Sequence, residues 1–232
     1  MSAPSVSLTV TALRLGVCSY NNIESNHAER RHIVSSNRCL CIDGFPLSDE
    51  YDEPEYRLAL KTRGSVEIFG FLCEQGMLPR PLYDNFKIRM PSQLIEIIQP
   101  AKRLVEAVAG VKLLELESIK HKSQISDAFN FLKDKLGPVC SAKVLHLLGP
   151  ELFVPWDNEI RDSFQLNIYD QDYFKFLETC RKELFDLVKD SNIKSEEIPA
   201  LFYQNGWKPL TKLLDEYHEA TVKKLAPHFS TQ

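Results

Sequence analysis

Apolar residues recur at three- and four-residue steps from residue 92 to residue 226, and no other feature of this 232-residue sequence constrains the fold as strongly. The pattern begins at Leu94, Ile97 and Ile98. Residues at this spacing share one face of an α-helix, so the pattern predicts helices with one buried side. It continues through Ile125–Leu136, Ala142–Leu148, Asn158–Leu166, Tyr173–Val188 and Leu210–Leu225. We therefore expect residues 92–226 to be all-α or nearly so, without a central sheet.

The first fifty residues have a different pattern. Residues 19–53 are mostly polar and indicate a loop-rich layer, in which Arg38–Ile42 has the character of an extended piece. Partial alternation at Ser5–Leu15 is compatible with a strand or with the start of a helix. A short strand or two is therefore expected in the N-terminal third.

A helical segment follows these loops. Pro54 suits the first turn of a helix, and the apolar positions after it predict a helix that is interrupted at Gly64. The expected fold class is mostly α, a multi-helix globular body. A loop-rich and helical N-terminal region at 1–90 would pack on a helical domain at 91–232.

Composition narrows the classes of partner. The net charge of −4 gives no overall attraction to the phosphate backbone, so binding to nucleic acid would require a local basic patch. No apolar run approaches the length of about 18 residues that a membrane helix needs, so no membrane partner is expected.

The cysteines indicate a reducing compartment. The six thiols are scattered without the spacing of a disulfide framework, and no signal peptide is evident, so we expect an intracellular protein, cytoplasmic or nuclear. Cys39 and Cys41 form the one pattern that hints at a metal, and a single C-x-C pair is a weak signal. The sequence therefore predicts no metal ligand and no cofactor.

Polar side chains converge on a helix junction within Leu136–Arg161. Lys143 and His146 lie one helical turn apart, and a short connection with glycine and proline leads to an apolar run. The run ends at Asp157, where a second helix begins that carries Arg161 four residues later. Such a group within an apolar segment has either a structural or a chemical purpose.

Both interpretations are open for each residue. Asp157 can cap the first turn of its helix, Trp156 can fill the core, and His146 can be a buried histidine with satisfied hydrogen bonds. Taken together, the residues can also form a base-excision site. The carboxylate would stabilise the oxocarbenium charge as an N-glycosidic bond breaks, and a desolvated lysine would attack the anomeric carbon.

The same segment resembles the core of the helix-hairpin-helix DNA glycosylase superfamily. Members have a helix, a short turn and a second helix, and then an aspartate preceded by proline or valine. Two residues later comes an apolar residue, often followed by arginine; here Asp157, Ile160 and Arg161 match this motif. The similarity covers roughly residues 123–165, about a fifth of the chain.

The resemblance implies roles for several residues. Asp157 would be the catalytic carboxylate, and Lys143 would correspond to the lysine of members that also have lyase activity. Gly137 would lie in the hairpin whose backbone amides approach a DNA phosphate. In these members the enzyme acts on a modified or damaged base.

Recognition of duplex DNA would need further contacts. Trp156 is a candidate for stacking on an extruded base, because such enzymes hold the base against aromatic rings. The nearby cations could form the local basic patch that the net charge does not supply; they are Lys133, Lys135, Lys143 and Arg161. A solvated helix face is the alternative for these cations.

Three classes of function are therefore compatible with the sequence. The first is a DNA N-glycosylase or a relative of one, helical and without a metal, with Asp157 at its centre. The second is a non-catalytic helical module for interaction or nucleic-acid sensing, in which Asp157 caps and Trp156 packs. The third is a small-molecule enzyme that uses His146 together with Asp157.

Overall fold

The computed structural model describes residues 15–19, 38–42, 45–46, 54–75, 91–191, 193–199 and 208–225. Within these ranges the protein is mostly α, which confirms the expected fold class. The helices are α1 Pro54–Thr62, α2 Ser65–Glu74, α3 Pro91–Glu106, α4 Ser118–Leu136, α5 Pro138–Leu148, α6 Asn158–Ser163, α7 Asp170–Ser191 and α8 Leu210–Leu225, with a 3-10 turn at Leu113–Glu115.

The strands all lie in the N-terminal third. An antiparallel sheet has the order β1–β2–β3, formed by Leu15–Ser19, Arg38–Ile42 and Phe45–Pro46. The extended piece predicted at Arg38–Ile42 is thereby confirmed, whereas positions 5–14 lie outside the described residues. In the ranges given above, no strand occurs after residue 46, in agreement with the helical periodicity.

The predicted interruption between α1 and α2 is confirmed. Thr62 ends α1, and Arg63 adopts a left-handed backbone with φ of 51°. The amide of Gly64 then donates to Thr62 Oγ1 over 3.1 Å. The two short helices therefore meet at a tight corner, which allows both to contact the body of the protein.

Helix α4 lies at the centre of the helical body. It packs against α3, α5 and α7, and its buried apolar residues follow the three- and four-residue spacing of one helix face. These residues are Ile125, Ala128, Phe129, Leu132 and Leu136. Helices α1 and α2 also contact α5, and their buried residues belong to the same hydrophobic core as those of α7 and α8.

A single residue, Gly137, joins α4 to α5. Its φ of 78° and ψ of 166° end the first helix, and this backbone conformation is essentially restricted to glycine, since it costs other residues about 1–3 kcal/mol. Pro138 then occupies the first turn of α5. A backbone N–H at this position would have no partner within the helix, so its absence in proline costs no hydrogen bond. Sequence therefore dictates a tight helix–turn–helix at this position.

An aromatic cluster fixes the next segment against this turn. Trp156 is 0% exposed, and its ring lies 5.7 Å from that of Phe129 and 5.0 Å from that of Tyr173. Its indole N–H donates to the carbonyl of Pro138 over 3.1 Å. The tryptophan thus connects the turn between α4 and α5 to the chain that enters α6.

We predict that Trp156→Ala lowers the free energy of unfolding by about 3–5 kcal/mol, because it empties a large and fully enclosed site. Tyr169→Ala is the control, since that ring is 56% exposed and its loss should change stability by no more than about 0.5 kcal/mol. Urea denaturation of both variants measures the difference. Equal stability of the two variants would contradict the packing role of the tryptophan.

Candidate functional site

A cavity of about 240 Å³ lies among α1, α2, α5, α8 and the chain before α6. It is lined by Tyr56, Phe71, Gln75, Lys143, His146, Pro155, Asp157, Lys212, Asp215 and Glu219. Three residues singled out in the sequence, Lys143, His146 and Asp157, therefore border the same space. They come from one face of α5 and from the start of α6.

The chain between α5 and α6 reaches the cavity as a buried, irregular stretch. Residues 152–156 are all buried, so their carbonyl groups need partners inside the protein. His146 Nδ1 lies 2.8 Å from the carbonyl oxygen of Phe153, and Tyr173 Oη donates to that of Val154 over 3.1 Å. These side chains hold the stretch in place and so position Asp157 at the cavity wall.

Asp157 caps α6. Its Oδ1 accepts a hydrogen bond of 2.7 Å from the amide of Ile160, and its backbone is extended, as expected for an N-cap residue. The capping interpretation is confirmed by this geometry. Because the cap fixes the side chain, the carboxylate has a defined position beside the cavity, and capping does not exclude a chemical role.

Lys143 is an amine in a poorly solvated position. Burial lowers the pKa of Lys143 because it penalises the charged ammonium, and the positive charge of Lys212 adds to the effect. The carboxylates of Asp215 and Asp157 act in the opposite direction and offset only part of it. At a given pH, the unprotonated amine is therefore more highly populated at Lys143 than at a surface lysine.

The second lysine of the cavity behaves differently. Burial alone would lower the pKa of Lys212, yet the carboxylates of Asp215 and Glu216 raise it well above its ordinary value. Lys212 Nζ lies 2.5 Å from Asp215 Oδ2. Burial alone would also raise the pKa of Asp215, but the two cations, Lys212 and Lys143, lower it. The pair therefore stays ionised, and Lys212 remains a fixed cation.

His146 is a neutral histidine with a partner on each ring nitrogen. Burial lowers its pKa to about 4. Its Nδ1 faces the carbonyl of Phe153, which can only accept, so this nitrogen carries the proton. Nε2 then accepts from Tyr56 Oη over 2.6 Å. Since both nitrogens are engaged, we interpret His146 as the residue that orients Tyr56 rather than as a general base.

The other predicted site residues do not line the cavity. The substrate-contact interpretation of Trp156 is corrected, because its ring is enclosed in the core and has no face available for a base. Lys135 Nζ lies 5.1 Å from the centre of the Phe131 ring, near the end of α4. Arg161 forms a contact of 3.3 Å with the neighbouring Asp162. Gly137 forms the turn between α4 and α5, as predicted.

Besides Pro155, six lining residues were not singled out in the sequence. Lys212, Asp215 and Glu219 follow an i, i+3, i+7 spacing, which gives a polar stripe on the otherwise buried helix α8. That stripe is a signal that could have been found, because polar residues rarely lie on a buried helix face without a purpose. Tyr56, Phe71 and Gln75 carry no such signal, since only the packing of α1 and α2 on α5 brings them to the cavity.

Comparison with known proteins gave no match, neither among protein-family models nor among curated proteins or solved structures.

In the part of the chain that the structure describes, no helix combines the length and apolar character needed to cross a bilayer.

We predict that the free energy of unfolding decreases by about 3 kcal/mol as the pH is lowered from 6.5 to 4, through the His146 contribution alone. In this window the unfolded chain binds a proton at the imidazole, whereas the folded protein, with its pKa of about 4, does not. The contribution is complete above pH 6.5 and is lost as the pH approaches 4. Urea denaturation at a series of pH values should show a correspondingly flatter pH dependence for His146→Gln. The same slope in both proteins would contradict the assignment.

Proposed function

We propose that this protein is a DNA N-glycosylase-like enzyme that excises a modified or damaged base, with Asp157 as the catalytic carboxylate and Lys143 as the nucleophilic amine. The observation that carries the proposal is the shared cavity. Asp157 is fixed there by its helix cap, and the pKa of Lys143 is lowered in the same space.

The chemistry suits these two groups. When the bond between C1′ of the sugar and the base nitrogen breaks, the electron pair leaves with the base, which takes up a proton. The anionic Asp157 stabilises the oxocarbenium charge that remains, and the poorly solvated cavity strengthens this interaction. The unprotonated Lys143 amine then bonds to C1′, and loss of its proton with opening of the sugar ring gives a Schiff base.

Other residues that line the cavity offer groups that could hold an extruded base. Tyr56 and Phe71 supply aromatic rings, and Gln75 supplies an amide that can donate and accept hydrogen bonds. Enzymes that extrude a base recognise it by stacking and by hydrogen bonds to its edge. A volume of 240 Å³ is slightly below the range of about 300–1,000 Å³ for sites of drug-sized ligands, which suits a single base.

The turn between α4 and α5 supports contact with the DNA backbone. No described side chain caps the N-terminus of α5, and a Cβ at Gly137 would meet no atom within 4 Å. Uncapped amides at a helix N-terminus attract phosphate oxygens. Lys135, two residues before the glycine, would add a cation, so this turn is the local patch that the overall charge does not provide.

A non-catalytic interaction module is the second candidate. The capping bond from Ile160 to Asp157 and the complete burial of Trp156 both favour it, because each residue then has a purely structural purpose. The third class, a small-molecule enzyme with His146 as base, is less well supported, since both nitrogens of that ring have protein partners.

We predict that Asp157→Asn lowers the rate of base release by about 10²–10⁴-fold, because an amide carries no charge to stabilise an oxocarbenium ion. Asparagine caps helices nearly as well as aspartate, so stability should stay within about 1 kcal/mol of wild type. The assay is single-turnover release from duplexes that carry a deaminated, an oxidised or an alkylated base. Asp162→Asn, an exposed aspartate of the same helix, is the matched control and should retain full activity.

If wild type releases no base from any of these duplexes, the glycosylase proposal fails. If the Asp157→Asn protein is as active as wild type, the residue is a cap only and the chemistry lies elsewhere.

We predict that borohydride traps a covalent adduct between wild-type protein and DNA, and that Lys143→Met abolishes it. Peptide mapping of the trapped complex by mass spectrometry should locate the adduct on Lys143 and not on Lys212, whose ammonium is kept protonated by its carboxylate neighbours. Melting temperature checks that the variant is folded. An adduct on Lys212, or one that survives in Lys143→Met, would remove Lys143 from the mechanism.

A further inference from the structure

Three side chains with metal-binding atoms meet where α7 packs beside α8. Cys180 and Glu183 lie one turn apart on α7, and His218 lies on α8. All three are buried, with exposures of 0%, 5% and 4%. None of them lines the cavity described above, so the cluster lies outside that site.

The distances suit the ligands of one tetrahedral ion. His218 Nε2 lies 3.1 Å from Glu183 Oε2 and 3.7 Å from Cys180 Sγ, and the three ligand atoms lie within 4.8 Å of one another. Zinc bonds of about 2.0 Å to nitrogen and oxygen and about 2.3 Å to sulfur place tetrahedral ligands about 3.3 Å and about 3.5 Å apart. Both measured distances agree with these values to within a few tenths of an ångström.

A second observation points to a cation at the same place. Glu183 Oε2 is buried without a hydrogen-bond donor, although His218 Nε2 is close to it. The contact therefore lacks the alignment of a hydrogen bond. A carboxylate oxygen that is removed from water without a donor is costly, and a bound cation would remove that cost.

We propose that Cys180 Sγ, Glu183 Oε2 and His218 Nε2 bind one zinc ion, which joins α7 to α8. A thiolate and an imidazole exclude Mg²⁺ and Ca²⁺ as natural occupants, because these ions prefer oxygen ligands, and the mixed set suits Zn²⁺. Three protein ligands leave one tetrahedral position for water. Cys180 binds as thiolate, so its proton passes to solvent when the ion binds.

The proposed ion has a structural consequence for the cavity. Helix α8 carries Asp215 about one turn and Lys212 about two turns before His218, so an ion that fastens His218 to α7 also fixes the position of these charges. The zinc proposal does not depend on base excision, because its ligands and its tests involve none of the proposed catalytic residues.

The test uses full-length protein that has been stripped with EDTA under reducing conditions and then titrated with Zn²⁺ or Co²⁺ alone. We expect one equivalent of Zn²⁺ to remain bound after gel filtration and to raise the melting temperature. Co²⁺ should give a thiolate-to-cobalt charge-transfer band in the near ultraviolet and intense visible bands of a four-coordinate ion. Mg²⁺ should do neither.

Variants assign the thiolate. Cys180→Ser should abolish the charge-transfer band, and Glu183→Gln should weaken Zn²⁺ binding by at least about tenfold. Cys140→Ser, which removes a buried thiol of α5 outside the cluster, is the matched control and should keep the band. A double variant, Cys39→Ser with Cys41→Ser, tests the other pair of cysteines and should also keep it.

The proposal is overturned if stripped wild type shows no charge-transfer band with Co²⁺, or if the band survives in Cys180→Ser. Loss of the band in the double variant would overturn it too, because the metal would then lie at the N-terminal cysteines. If Cys180→Ser does not fold, a variant with serine at the other five cysteines, at positions 18, 39, 41, 73 and 140, must keep the band, and loss of the band in that folded variant would overturn the assignment.

Discussion

A buried stretch of irregular chain, residues 152–156, is the constraint on which the rest of the structure depends. Its carbonyl groups are removed from water and belong to no helix, so side chains of other elements must satisfy them. His146 on α5 serves Phe153, and Tyr173 on α7 serves Val154. Just before the stretch, Thr211 on α8 donates to the carbonyl of Pro150. Three helices are thereby oriented around one segment, and the cavity lies beside it.

The cavity shows how one space can hold two lysines in different states. Lys212 has a carboxylate at contact distance and stays charged, whereas burial dominates at Lys143. A further ion pair is buried between the residue Lys208, just before α8, and Glu216 on that helix, with Nζ and Oε1 2.9 Å apart. Buried pairs of this kind recover little more than their desolvation cost, so we interpret the Lys212–Asp215 pair as fixing charge at the cavity wall more than stabilising the fold. The buried ion pairs therefore determine where the charges lie and add little to the free energy of unfolding.

The sequence predicted the helices and one side of the site for clear physical reasons. Helical periodicity identifies which face of each helix is buried, and the cap at Asp157 is a local signal that needs no tertiary information. Neither signal specifies which helices face one another, so the packing of Tyr56 against His146 could not be derived. The same limit explains why Cys180 and His218 were not associated in the sequence: each lies on a different helix, and their proximity arises only from the packing of α7 and α8.

The walls of the cavity come from widely separated parts of the chain, from Tyr56 in α1 to Glu219 in α8. A ribosome must therefore synthesise the polypeptide beyond Glu219 and release that helix from its exit tunnel before the cavity can close. Until then Lys143 and His146 of α5 would be more accessible to water, and the burial that lowers the pKa of both groups would be incomplete. The lowered pKa of Lys143 is thus a property of the packed protein, and a nascent or truncated chain without α8 would carry this lysine in a better solvated state.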